Sequence, residues 1–330
     1  MKISVCLPLY NGRHCVEGAL DSLVNQTRKP DEVIVRDDCS SDEGAKLIEK
    51  YQSLNIDLST NTENLGMIGN WNKCLEDSTG DIVTFLHQDD GYETNFLQEL
   101  ERDLDNDKNI GMWVCETYIK GVLSKDNNLD EMTHDHEDII KKIYTWEYIP
   151  APTAVCFKKK ALEAVGFYDG EYKYVAEPDL YFRLVSKGYL VHNSSKKLAW
   201  RGLPETRATA LLGGSNLYFN EWLYFLEKFS FNNYLVNNEM QSTALSNFYE
   251  RCCFAFTAKI YKFDFRESFL ILKTIFSRGR DLDRDLQQKK IHLVSFLFLF
   301  FKSTATLFYY FFRRNAALTY RAIRNRVYNR

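Results

Sequence analysis

Two pairs of adjacent carboxylates stand where apolar runs end. Residues 33–35 lead into Arg36, Asp37 and Asp38, and residues 85–86 lead into His87, Gln88, Asp89 and Asp90. Neighbouring like charges are costly unless donors or a cation offset them. Hard carboxylate oxygens of this kind suit Mg²⁺ or Mn²⁺, often shared with substrate phosphates. The competing reading is local, since an Asp at a strand end also caps the next helix or closes a turn. A third group, Glu177-Pro178-Asp179, opens a helical pattern. Glu177 there would support the N-terminus of that helix. His87 reads as a soft ligand, a donor to phosphate, or a spacer.

These residues need a scaffold, and the first ~120 residues supply its pattern. Short apolar runs at 3–8, 32–35, 56–59, 81–86 and 112–118 alternate with helical spacing at 16–24, 42–51 and 66–75. Such alternation implies an α/β fold, a mostly parallel sheet with helices on both faces. In these sheets ligands bind beyond the carboxyl ends of the strands. If the strands at 32–35 and 81–86 are parallel neighbours, their acids converge on one edge. Residues 120–136 are polar and read as a loop, and its His134-x-His136 as a solvated stretch. A strand at 154–157 and helices at 158–165 and 178–187 follow. Residues 215–277 are helical. Tyr249, Cys253, Phe256 and Ile260 form one apolar stripe, Phe269, Leu272 and Ile275 another, and Asp264 marks a break between two helices of a hairpin.

Composition narrows the function. The 330 residues carry Lys+Arg 42 against Asp+Glu 45, so nothing calls for nucleic acid. The balance is uneven: residues 279–330 hold eleven Lys/Arg and three Asp, a net of +8, leaving −11 on residues 1–278. The eight cysteines include no C-x-x-C pair and mostly sit in apolar runs. That argues for a reducing, cytoplasmic setting without disulfides or zinc, and no leader precedes the first strand. The first strand ends Pro8-Leu9-Tyr10-Asn11-Gly12, with neither a G-x-G-x-x-G nor a P-loop. That argues against a dinucleotide dehydrogenase and against a P-loop NTPase.

Six short motifs, in order over residues 1–201, resemble those of family 2 glycosyltransferases with the GT-A fold. They are Ser4-Val5-Cys6-Leu7-Pro8-Leu9-Tyr10-Asn11; Ser22-Leu23-Val24-Asn25-Gln26-Thr27; Val35-Arg36-Asp37-Asp38-Cys39-Ser40-Ser41-Asp42; Asn64-Leu65-Gly66; Gln88-Asp89-Asp90; and Gly166-Phe167-Tyr168-Asp169 with Glu177 to Leu184. The resemblance implies that Pro8 and Tyr10 line the nucleotide base and that Asp38 hydrogen-bonds it. It places Asp89 at the ribose or diphosphate, and the divalent ion (Mn²⁺ or Mg²⁺) on Asp90 with Asp89. It makes Glu177 the catalytic base, with Asp179 as second candidate. Arg201 matches an Arg that follows a late strand, although Leu203 replaces the His usual two residues on. His87 departs from the D-x-D of many members, and Ala176-Glu177-Pro178 from the usual Glu-Asp. The implied reaction is inverting, metal-dependent transfer from a nucleotide-sugar donor to a glycan or lipid-linked acceptor, in surface polysaccharide synthesis. With no Q-x-x-R-W motif, one sugar per encounter is expected. A nucleotidyltransferase making nucleotide sugars, and a degenerate donor-binding scaffold, are the alternatives.

The tail adds a partner. Residues 291–312 hold sixteen apolar or aromatic side chains of twenty-two, flanked by Lys289-Lys290 and Arg313-Arg314. Lys302 falls mid-segment, where a spanning helix would bury it at high cost. The pattern suits a helix lying in the plane of an anionic membrane surface, with a bilayer span and a packed helix pair as alternatives. The expected organisation is a catalytic domain over 1–210, a helical extension over 211–288, and a membrane-associating tail over 289–330 on the inner face of the cytoplasmic membrane.

Overall fold

In a computed structural model of the chain, residues 1–104, 109–121, 132–133, 136–202, 215–232, 235–261 and 264–274 are described. The expectations for the linker, the tail, His134 and Leu203 fall outside them. The chain divides into two compact units, Met1–Leu211 and Leu212–Arg330.

The first unit opens with β1 (Ile3–Leu9), α1 (Val16–Val24), β2 (Glu32–Asp37), α2 (Gly44–Ile48), β3 (Ile56–Thr60), α3 (Gly66–Asp77) and β4 (Ile82–Phe85). All seven residues of β1 are buried, as expected for a central strand covered on both faces. β1 pairs in parallel with β2 through Val5↔Val33 and with β4 through Val5↔Thr84, while β3 pairs in parallel with β2. Leu20 and Leu23 of α1 pack with Val5, Leu7 and Val33 in one continuous core. The strands carrying the acid pairs are therefore not neighbours. They flank β1, and because both run parallel to it their carboxyl ends still open on one edge.

The remaining strands widen this sheet. β5 (Gly91–Tyr92), β6 (Ile110–Ile119), β7 (Met132–Thr133), β8 (Val155–Lys158) and β9 (Leu190–Arg201) alternate with α4 (Phe96–Leu104), α5 (His136–Tyr144), α6 (Lys159–Val165) and α7 (Ala176–Ser186). The order is β3-β2-β1-β4-β8-β6-β9-β5, with β7 beside β9. β8 runs antiparallel to β4 and β6, so the parallel character lies in β3-β2-β1-β4 and in β6 with β9. The α/β class stands. β7 is an ordered piece inside the segment read as loop.

Arg36, just before the first acid pair, is structural. Its guanidinium is buried, with Nε 2.6 Å from Asp77 at the end of α3 and Nη2 3.2 Å from Asp57 on β3. A buried, rigid, always charged fork with two carboxylates ties both elements to β2.

The second unit contains α8 (Asn216–Asn232), α9 (Asn238–Tyr261) and α10 (Phe265–Thr274). The break falls at Asp264, which accepts hydrogen bonds from the backbone N–H of Glu267 and from Lys259. Among the described residues the expected hairpin is present as α9 and α10, and α8 precedes it. Phe269 does not join a buried stripe: it is 67% exposed, while Ser268, Ile271 and Thr274 face inward. Among the described residues, no helix is long and apolar enough to cross a membrane.

Candidate functional site

A cleft of about 540 Å³ opens along the carboxyl edge of β1, β2 and β4. Pro8, Tyr10, Asp38, Asp89, Asp90 and Glu177 all line it, as do His87, Gln88 and Arg201. Asp179 does not. It is fully buried one turn into α7, and its Oδ2 lies 2.6 Å from Arg183 Nε. Arg183 also donates to the carbonyls of Val165, Gly166 and Phe167. Asp179 and Arg183 therefore fasten the end of α6 to α7, and Asp179 has no route to an acceptor.

The β1 wall is a pinned turn. Asn11 sits in the left-handed region at φ 47°, which a short polar side chain tolerates. Its N–H donates to Ser40 Oγ at 2.9 Å, and its Oδ1 accepts from the Ser41 N–H at 2.9 Å. Tyr10, just before it, is half exposed and can present a ring face to a flat ligand. The Gln88 amide meets its backbone: Tyr10 N–H donates to Oε1 at 3.0 Å, and Nε2 donates to the Tyr10 carbonyl at 3.1 Å.

Asp38 is buried and already well supplied with donors. Oδ1 accepts from Asn61 at 2.9 Å and from the Leu65 N–H at 2.8 Å, and Oδ2 accepts from the Gly66 N–H at 3.0 Å. It thus holds the N-terminus of α3, where a negative charge is favoured. Beside it, Asp37 accepts from Ser40 and from Thr60. Protein donors stabilise this pair. Oδ2 of Asp38 carries one hydrogen bond among these and retains acceptor capacity.

The second pair divides its labour. Asp90 is buried; Oδ1 accepts from the Gly202 N–H at 3.0 Å and Oδ2 from Thr153. It braces the end of β9 and the turn before β8. A Cβ at Gly202 would run into the Asp89 carbonyl, so only glycine allows this approach. Asp89 lies half-buried on the cleft wall. The Cys15 thiol registers the local field: burial, then the charges of Asp89, Asp42 and Asp90, push it up to about 11. Burial lowers the His87 imidazole below its ordinary value, against the pull of Asp90 and Asp89, so the ring is neutral at pH 7. It sits 5.0 Å from the Trp71 ring and stacks on Phe85 at 6.3 Å.

Among the described residues no group of three His, Cys, Asp or Glu is placed to hold a metal ion. One or two carboxylates suffice for Mg²⁺ or Mn²⁺ when phosphate oxygens complete the shell. Asp89, in a field negative enough to raise a nearby thiol, fits that arrangement. Asp90, expected as the principal ligand, has both oxygens engaged by Thr153 and Gly202.

Glu177 lines the same cleft from α7. It sits half-buried in the first turn of that helix. Its wall is fixed by Asn72, whose Nδ2 donates to the Tyr168 carbonyl at 2.8 Å and whose Oδ1 accepts the Tyr168 N–H at 3.0 Å. Asn72, Gln88 and Thr153 escaped sequence reasoning, because single polar residues give no periodic signal. Gln88 was visible only as a neighbour of the acids.

Comparison with known proteins agrees with this geometry. Residues 4–166 match the family model described as glycosyl transferase family 2. The chain is 27% identical over 256 residues to the GalNAc(5)-diNAcBac-PP-undecaprenol beta-1,3-glucosyltransferase of Campylobacter jejuni, covering 76% of this chain and 79% of that one. It superposes on Staphylococcus aureus TarS 1-349 in complex with UDP-GlcNAc with a TM-score of 0.57 at 17% identity, over 88% of this chain and 93% of that one. Against the longer TarS chain the score is 0.60 at 17% identity, and the match spans 54% of TarS and 87% of this chain. The mannosyltransferase PcManGT of Pyrobaculum calidifontis, in complex with GDP-Man and Mn²⁺, gives 0.54 at 16% identity over 91% of this chain and 87% of that one. At such identities the structural likeness shows the fold, which is GT-A.

Proposed function

We propose that this chain, which belongs through residues 4–166 to glycosyl transferase family 2, transfers one sugar per encounter, with inversion, from a nucleotide-sugar donor to a hydroxyl of a lipid-linked or glycan acceptor. The observation that carries this reading is the shared cleft: Tyr10, Asp38, the pair Asp89 and Asp90, and Glu177 come from four separate segments and line one cavity. The relatives named for undecaprenol-linked and polysaccharide substrates support the acceptor class.

The base of the donor stacks on Tyr10, and the Asp38 Oδ2 accepts an N–H of its edge. Asp89 faces the diphosphate, and Arg201 offsets its charge. Asp89, with the outward lone pairs of Asp90, would hold the divalent ion. When bound, that ion neutralises charge on the departing nucleoside diphosphate. Glu177 takes the acceptor hydroxyl's proton as its oxygen attacks the anomeric carbon opposite the diphosphate. The new glycosidic bond forms as the anomeric carbon–phosphate oxygen bond breaks, so the anomer inverts.

The reaction is placed at a membrane surface. The apolar and basic tail supports this by sequence. In the second unit Phe254 and Phe269 are 61% and 67% exposed, with Arg251, Arg266 and Lys273 exposed along the same two helices.

The test is thermal unfolding of the purified chain with UDP, GDP, dTDP and CDP, each with and without Mn²⁺. A diphosphate at 100 times its dissociation constant adds about 2.7 kcal/mol. One diphosphate stabilising only with metal, and losing that effect in Asp89→Ala, is the expected result. No stabilisation under any condition would overturn the reading.

A further inference from the structure

The cleft has two ends on different strands. The Tyr10 turn leaves β1, and Asp89 with Asp90 leaves β4. The backbone ladder between these strands stops early: Cys6 pairs Phe85, and Leu86 N–H donates to the Cys6 carbonyl at 2.9 Å. Beyond it Pro8 offers no N–H, so the backbone cannot extend the pairing on that side. The Gln88 amide takes over two residues further on. It donates to and accepts from the Tyr10 backbone at 3.1 and 3.0 Å, as a paired strand residue would. The fit is tight, for a Cβ on Gly12 would stand 2.5 Å from Gln88 Oε1. Gln88 is adjacent in sequence to Asp89. A single planar amide, one residue from the acid, therefore sets how far the Tyr10 ring lies from the acidic edge.

We propose that Gln88 is a positioning residue that fixes the spacing between the base-facing and diphosphate-facing ends of the donor site. The inference rests on the donor reading above and adds to it a residue whose effect depends on ligand length. A ligand that spans both ends needs the spacing held. A ligand that touches one end does not. Carboxylate cannot replace the amide, because Glu has no donor for the Tyr10 carbonyl and presents an oxygen to it.

The test compares ligands rather than rates. Calorimetric titration measures the nucleoside diphosphate selected by the wild-type chain, and pyrophosphate with Mn²⁺; saturation-transfer NMR measures the parent nucleoside. Gln88→Ala loses both hydrogen bonds, and Gln88→Glu loses one and sets an oxygen against the Tyr10 carbonyl; each is expected to weaken the nucleoside diphosphate about tenfold. Pyrophosphate and the nucleoside change less than about twofold by the same reasoning. Gln88→Glu keeps the side-chain size, so its melting temperature separates loss of spacing from loss of fold. Equal weakening of all three ligands, or unchanged diphosphate affinity in both variants, overturns the inference. A wild-type chain that binds no nucleoside diphosphate overturns the donor reading first, and this inference with it.

Discussion

Two acids of one short helix meet different fates, and a single turn decides it. Glu177 lies in the first turn of α7 on the cleft, whereas Asp179 points into protein and pairs with Arg183. Glu177→Gln keeps the size and loses the base, so kcat should fall by roughly 10²–10⁴-fold. Calorimetry should find donor affinity and melting temperature near wild type; a lowered melting temperature with kcat retained would assign Glu177 to helix support. Asp179→Asn should do the reverse. It leaves a half-buried guanidinium short of its charge partner, costing about 1–3 kcal/mol in denaturant unfolding, and a native-like melt with kcat abolished would contradict that. Cys15 reports on the acidic edge from a third direction. Its thiol is held up to about 11 by burial and by Asp89, Asp42 and Asp90, so the reactive thiolate is scarce at pH 8. Iodoacetamide labelling of its peptide, read by mass spectrometry, should stay slow until the pH approaches that value. Asp89→Asn removes one of the charges and should speed labelling at pH 8; an unchanged rate would place Asp89 away from the thiol.

At the scale of elements, the sequence was most legible where local pattern and burial coincide. The runs at 3–8 and 32–35 are apolar but for Ser4 and Glu32, because β1 and β2 are covered on both faces. The acids were legible because strands with a common direction must end on one edge. β9 was not legible as a strand. Asn193, Ser194, Ser195, Lys196 and Lys197 interrupt its apolar residues, and its place comes from pairing with β6, a contact far along the chain. The partners of Asp90 were illegible for the same reason: Thr153 and Gly202 arrive from distant segments. Glu32 shows how such long-range ties tune the sheet. It accepts from Ser4 Oγ at 2.6 Å, the Thr79 N–H at 2.6 Å and Lys2 Nζ at 2.7 Å, joining β1, β2 and the turn before β4. Burial alone would raise its carboxyl, but these donors outweigh it and hold it at about 2. A carboxyl depressed on folding stabilises above its unfolded value, near 4.3, and loses that contribution as pH falls toward 2. Glu32→Gln should lower unfolding free energy at pH 7 by about 1–3 kcal/mol. It should also flatten the acid limb between those two values in urea titrations. A parallel acid limb in wild type and variant would show that the donors do not favour the charged form.

For the whole molecule, charge is the organising quantity. The chain is nearly balanced at −3, yet residues 279–330 carry +8 and the rest −11. On the proposed membrane reading, the acidic portion over 1–278 is repelled by an anionic lipid surface and the basic end leads the approach. The second unit also carries exposed aromatic and basic side chains of its own. Arg251 precedes exposed Phe254 by three residues on α9. Arg266, Phe269 and Lys273 stand three and four apart on α10, one exposed face of a helix. Aromatic rings that enter the interface and cations that meet lipid phosphates are the two components of interfacial binding, with each cation contributing about 1 kcal/mol. The full chain should therefore float with vesicles containing phosphatidylglycerol, remain unbound to phosphatidylcholine alone, and dissociate as salt shortens the screening length. The variant Phe254→Ser with Phe269→Ser should weaken binding while preserving its salt dependence. Arg266→Glu with Lys273→Glu should weaken it and reduce that dependence, because fewer charges are neutralised at the surface. If both double variants bind as the wild type does, the helices of the second unit take no part and any attachment belongs to the tail. If the wild type ignores vesicle charge altogether, the asymmetry serves something other than a membrane.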